Sequence, residues 1–217
     1  MTVIRRQVEL LEKNRPRQER AKRTYEAILT AAAELLVEVG VERISTNLIA
    51  ERAGITVPAL YRYFPNKYAV INALGAVLMD RQNQMFHEWV DKHYVEGQPE
   101  RLLGNIYDIL WFTYEVTLEQ TGGLEIAQAL RAVGPLQELR LKSHRLIAQQ
   151  LALFLSEWLG RPVDEEVLIQ ARVMVDVGYS LVEMALEDSS VPAEQALRQG
   201  AMMLEAGLSA NADKLAL

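Results

Sequence analysis

Helical periodicity, cut repeatedly by Gly and Pro, runs along almost the whole 217-residue sequence and limits the fold more than any other feature. In "TYEAILTAAAELLVEVG", Tyr25, Ile28, Leu29, Ala32, Leu35, Leu36 and Val39 follow the i, i+3, i+4 rule. Gly40 stands where a left-handed C-terminal cap belongs. Strand-like alternation is essentially absent, so the expected fold is all-α. Short capped helices are expected in "STNLIAERAG", closed by Gly54, and in "TVPALYRYF", opened by Thr56 and stopped by Pro65. A further helix starts at Asn66. Breaks at Gly97–Pro99, Thr121–Gly123, Gly134-Pro135, Gly160–Pro162 and Ser189–Pro192 then divide the rest, giving about nine helices. We expect a basic arm over residues 1–18, mobile in isolation. A three-helix unit should occupy 19–67 and an α-helical body 68–217.

Half of the residues are hydrophobic, enough for one large domain or two smaller ones. The chain has no Cys, which excludes disulfides and thiolate metal sites. The charged N-terminus has no apolar signal region, and "YAVINALGAVLM" is shorter than the roughly 20 residues of a membrane span. The expectation is a cytoplasmic protein with no membrane partner. The net charge is −6, but it is unevenly spread. Residues 1–67 carry 12 Lys and Arg against 8 Asp and Glu, and the remainder carries 11 against 21. A basic end on an acidic body suits a nucleic-acid reader, and also a solvated basic tail.

The stretch 46–64 has helix-turn-helix spacing. Ile49 and Ala53 face inward, Ala50 falls where two helices cross, and Gly54 makes the sharp turn. Ile55 plugs the corner and Leu60 anchors the second helix. Thr56 is an N-cap, and Pro58 lies in the first turn, where its missing N–H is not needed. Leu60 and Phe64 then share the core face, while Val57, Pro58 and Tyr61 share an outward, largely apolar face. Either a partner or a later helix covers such a face.

These residues resemble the tetracycline-repressor (TetR) family of transcriptional regulators. The likeness rests on "RTYEAILTAAAELLVEVG" followed by "STNLIAERAGITVPALYRYFPNKYAVINAL" and covers roughly residues 20–75. It departs from the family pattern at Pro58, where Gly often stands. The resemblance implies a homodimer that places a recognition helix, residues 57–63, in the major groove of double-stranded DNA. It also implies a helical body that binds a small-molecule effector, with no cofactor. Carried over by position, Thr46 and Asn47 lie near phosphate. Thr56, Val57, Pro58 and Ala59 approach base edges, and Tyr61, Tyr63 and Lys67 reach the backbone. Val57, Pro58 and Ala59 cannot read donor–acceptor patterns but can pack on thymine methyls. Arg62 is either a phosphate contact or a solvated side chain. The arm, with Arg5, Arg6 and Lys13 among its cations, can enter a minor groove or remain a solubilising tail.

In the body, Ala171, Gly178 and Ala185 recur every seven residues, and Ala193, Gly200 and Gly207 line the last helix. Such seams serve either a four-helix dimer interface, the reading the family favours, or tight packing within one subunit. Tyr107, Trp111, Tyr114, Met174 and Tyr179 are the candidate effector-binding residues, with plain core packing as the alternative. His144 reads as a partly exposed helix residue and not as a ligand. A di-metal bundle needs Glu-x-x-His pairs, but Gln84, Val90 and Leu141 stand three residues before His87, His93 and His144. No phosphate loop, dinucleotide Gly cluster or nucleophile elbow is present, so neither an enzyme nor a metal site is expected. The function expected is a ligand-responsive repressor released from a near-palindromic operator. An activator on the same fold, or a helical protein–protein adaptor, remains as an alternative.

Overall fold

The computed structural model describes residues 9–13 and 18–215, with side chains as far as Leu208. Its elements are α1 (Glu19–Arg43), α2 (Thr46–Arg52), α3 (Val57–Leu60), α4 (Lys67–His93) and α5 (Pro99–Leu103). They continue with α6 (Ile106–Glu119), α7 (Gly123–Ala132), a 3-10 turn (Gly134–Leu136), α8 (Gln137–Leu159), α9 (Glu165–Glu187) and α10 (Ala193–Leu215). All described regular structure is helical, as expected. Ten α-helices stand where about nine were expected, because Gly104-Asn105 divides the segment after Pro99 into α5 and α6. That break has a partner. The buried Trp89 donates its indole N–H to the Asn105 carbonyl at 2.8 Å, an acceptor that an unbroken helix would have used internally.

The chain forms two compact units, 1–79 with 119–140 and 80–118 with 141–217. The division falls elsewhere than the expected 67/68 boundary. The first half of α4 and all of α7 belong with the N-terminal helices, and the chain passes from unit to unit within α4, α6 and α8.

In the first unit, Ile28, Ala32 and Leu36 of α1 meet Ile49, Leu60, Phe64, Val70 and Ile71 in one core. Ile126 and Leu130 of α7 complete it. Tyr25 stacks on Phe64 with ring centroids 5.2 Å apart. Gly40 takes a positive φ, 71°, and its non-helical backbone interrupts the helix at the expected place. The helix kinks there and adds a last turn to Arg43. The arm is held over part of its length. Lys13 N donates to Tyr63 O at 2.8 Å, Asn66 Nδ2 to Glu9 O at 2.8 Å, and Tyr25 Oη to Glu12 at 2.7 Å. Residues 9–13 therefore lie against the first unit, while Arg5 and Arg6 fall outside the described residues.

The second unit is a bundle of the rest of α4 with α5, α6, most of α8, α9 and α10. Its core includes Trp89, Leu102, Leu155, Val167, Ala171 and Leu197. Asp164 caps α9 by accepting from Val167 N at 3.0 Å. That bond, and then Arg161, lower its pKa.

Candidate nucleic-acid interface and inner cavity

Helices α2 and α3 owe their start and angle to three local features. Ser45 accepts from Leu48 N at 3.3 Å and opens α2. Gly54 takes φ +66° at the turn, where a Cβ would add strain. Thr56 opens α3 by accepting from Ala59 N at 3.4 Å. Leu60 and Phe64 are wholly buried, as is Ile49 below them. Helix α3 is shorter than the 57–63 expected. After Leu60 the chain tightens into i→i−3 bonds, Arg62 N to Ala59 O and Tyr63 N to Leu60 O.

The outward side of this pair is narrower than the sequence suggested. Thr56, Pro58 and Tyr61 are exposed, Tyr61 at 42%. Asn47 is exposed as well, Thr46 and Ala59 are intermediate, and Thr46 Oγ1 lies 3.1 Å from Tyr61 Oη. Six candidate residues from two helices thus present one polar-rimmed surface. Val57 does not belong to it. It is half-buried and packs on the core of the first unit. Tyr63 is also half-buried, edge-on to Tyr25 at 6.2 Å, with its backbone carbonyl taken by Lys13.

Lys67 departs furthest from the expected phosphate contact. Its ammonium donates to Val41 O at 3.0 Å, Ile44 O at 3.1 Å and Glu42 O at 3.2 Å. All three N–H groups are committed to carbonyls left open at the end of α1, where a cation is favoured. The residue ties the start of α4 to the α1–α2 corner.

The second unit encloses a cavity of about 80 Å³, lined chiefly by apolar side chains of α4, α6, α8, α9 and α10. Of the five expected effector residues, Met174 and Tyr179 line it and Tyr107, Trp111 and Tyr114 do not. Those three form a stacked ladder on a flank of α6, with centroids 6.1 and 5.3 Å apart and Arg198 4.2 Å above Tyr107. Their i, i+4, i+7 spacing sets them beside the stripe of Ile106, Leu110 and Thr113, which does face the cavity. Gln82, Phe86 and Trp89 of α4 were missed. Only their i, i+4, i+7 spacing marked them, and that is also what core residues show. His144 is not partly exposed. It is buried, with Nδ1 2.6 Å from the Asp176 carboxylate and its ring stacked 4.1 Å from Tyr179. Burial works to raise the Asp176 pKa. Hydrogen bonds from Arg172 and His144 outweigh it, so the net shift is downward. Burial, with the Asp176 charge, pushes the Tyr179 hydroxyl up.

The small-residue seam faces inward. Ala171, Gly178 and Ala185 are buried, and Gly178 lines the cavity. A Cβ on Gly200 would meet the Leu181 side chain of α9, so this glycine faces α9 of its own subunit. Ala193 is half-buried and Gly207 exposed. The opposite face of α9 carries exposed Ile169, Val173, Val177 and Met184 within an 80° arc. Among the described residues, no cluster of His, Asp and Glu has metal-site geometry, and no helix is long and apolar enough to cross a membrane.

The α2–turn–α3 geometry is that of a helix-turn-helix. Residues 28–74 match the family model for bacterial regulatory proteins of the tetR family. The same region is 44% identical over 54 residues to the class C tetracycline repressor protein of Escherichia coli, a quarter of each chain. It is 42% identical over 59 residues to an HTH-type transcriptional regulator of Bacillus subtilis, covering 27% of this chain and 28% of that one. A TetR-family regulator of Streptomyces coelicolor superposes over 86% of this chain and 98% of its own, at 26% identity and a TM-score of 0.54. A putative transcriptional regulator of Pseudomonas aeruginosa shares the fold at 15% identity, with a TM-score of 0.70 over 92% of this chain and 96% of that one. Residues 28–74 are thus similar to the N-terminal region of TetR-family regulators, and the chain as a whole is similar to a solved structure of that family. The matched segment spans about a quarter of the length of these curated relatives.

Proposed function

We propose that this chain is a ligand-responsive transcriptional repressor that binds a near-palindromic operator as a homodimer. The exposed surface made by Asn47, Thr56, Pro58, Ala59 and the Thr46–Tyr61 pair carries this reading. A major groove admits one helix, read mainly from its N-terminal end, and α3 offers its first turn there. Its hydroxyls and amide suit phosphate, which positions the protein without specifying sequence. Pro58 and Ala59 suit thymine methyls, so specificity leans on methyl contacts, DNA shape and the spacing of two half-sites.

The second copy docks on the outer face of α9, not on the glycine seam. A helix with four large apolar side chains exposed over about four turns has more apolar surface than its own subunit covers. The cavity in the second unit is the effector site, and release is linkage. Effector favours a conformation with lower operator affinity, and DNA by reciprocity lowers effector affinity.

Selection of bound duplexes from random DNA, followed by fluorescence anisotropy across a salt series, tests the reading. Enrichment of a site with half-sites one turn apart, about 34–36 Å, and a steep salt slope are expected. Binding without sequence enrichment or salt dependence would favour the adaptor.

A further inference from the structure

One buried polar atom beside the cavity has no partner in the protein. Gln82 is 3% exposed and lines the cavity, and its Oε1 accepts no hydrogen bond. Buried acceptors are ordinarily satisfied, so one left open in a cavity wall marks a place for a donor.

A chain of neighbouring bonds fixes which end of this amide is open. Thr113 Oγ1 donates to Ile109 O at 2.8 Å, and Thr117 Oγ1 donates to Thr113 O at 2.6 Å. The Thr117 proton is thereby spent, and its oxygen can only accept. Gln82 Nε2 donates to that oxygen at 2.8 Å. Turning the amide over would set two acceptors against each other, so the carbonyl oxygen is the end without a partner.

The rest of the wall narrows the ligand further. No lining residue is charged, and a buried charge without a partner is costly. The Trp89 N–H, a donor by chemistry, is already held by Asn105 O. The cavity measures about 80 Å³, roughly half the ~150 Å³ of an apolar cavity that admits benzene. It suits a short branched chain as it stands, and a single ring once flexible Met174 and Leu204 give way.

We infer that the cavity takes an uncharged, compact, largely apolar ligand bearing an O–H or N–H donor, which the Gln82 carbonyl oxygen accepts. This rests on the reading of the cavity as the effector site. Phenol, toluene and benzoate are matched probes that differ in donor and charge. Titration calorimetry on the full chain should show phenol binding at least about tenfold more tightly than toluene, and benzoate not binding. In Gln82→Leu, with Gln82→Met as a second variant, the preference should fall to within about twofold while toluene binding is kept.

Equal binding of phenol and toluene, tightest binding of benzoate, binding of none of the three, or a phenol preference that survives both variants would each overturn the inference. Operator anisotropy with the same probes separates the two readings. A phenol preference that depends on Gln82 but leaves operator affinity unchanged would overturn the effector reading and leave the ligand class standing. Operator release by phenol and toluene alike would overturn donor recognition alone.

Discussion

Helices α3 and α9 both carry more apolar residues than one buried face can use, and they dispose of the excess differently. Helix α3 spans four residues, and its outer side holds Pro58 and Ala59 beside Tyr61, Thr46, Thr56 and Asn47. Helix α9 spans 23 residues, and its outer side holds Ile169, Val173, Val177 and Met184 over about four turns, with Ser180 and the partly exposed Asp176 among them. A small apolar patch ringed by hydroxyls suits a groove lined by methyls and phosphates. A long apolar stripe suits another helix of its kind. The extent of a second apolar face, more than its presence, distinguishes nucleic acid from protein as its partner.

The sharpest way to break this comparison is to charge the α9 stripe. Val173→Arg places the charge where the monomer is already exposed, so folding should be unaffected. The variant should sediment as a monomer and lose about 10²–10⁴-fold in operator affinity, the contribution of the linked second half-site. A dimeric Val173→Arg would take α9 out of the interface. The corresponding test on the buried side of α3 is Leu60→Ala, at a wholly buried position. It should destabilise the first unit by about 2–5 kcal/mol, seen as a lower denaturation midpoint.

Periodicity made the helices legible, and the capping residues Thr56 and Gly54 made the α2–α3 turn legible. It could not say which apolar face turns inward. Val57 is expected on the outward face but packs partly on the core, and of the two uses the Ala171–Gly178–Ala185 seam allows, the monomer shows packing within the subunit. Small residues every seven positions mark a close approach of helices and carry no information on whether the neighbour is in the same chain. Ring-rich spacing misled in the same way, putting Tyr107, Trp111 and Tyr114 in a pocket whose polar recognition lies with Gln82. Lys67 shows a further limit. A lysine suited to phosphate is equally suited to three carbonyls at a helix end, and only the fold decides.

Two smaller effects sharpen the comparison. Lys67→Met removes the three bonds at the α1 end. It should lower stability by about 2 kcal/mol while the salt slope of operator binding stays unchanged. A slope reduced by about one would return Lys67 to the phosphate contacts. On the α9 side, Asp176→Ala removes the acceptor of buried His144 and should cost about 1–3 kcal/mol. Because the folded Asp176 pKa is depressed, its contribution is fully present above the ordinary value near 4. It is lost as pH falls through the lower folded value. Wild-type stability should therefore fall in acid below about pH 4, and Asp176→Asn should flatten part of that fall in denaturant titrations at stepped pH.

The absence of cysteine makes one distance the most direct test of the whole account. A single Glu51→Cys on the exposed side of α2, spin-labelled and measured by pulsed electron resonance on the selected duplex, reports the separation of the two helix-turn-helix units. One narrow interchain distance is expected, set by successive major grooves about 34–36 Å apart and the reach of the labels, that broadens or shifts when effector is added. Absence of interchain coupling on the duplex, or a distance indifferent to an effector that releases DNA, would contradict it.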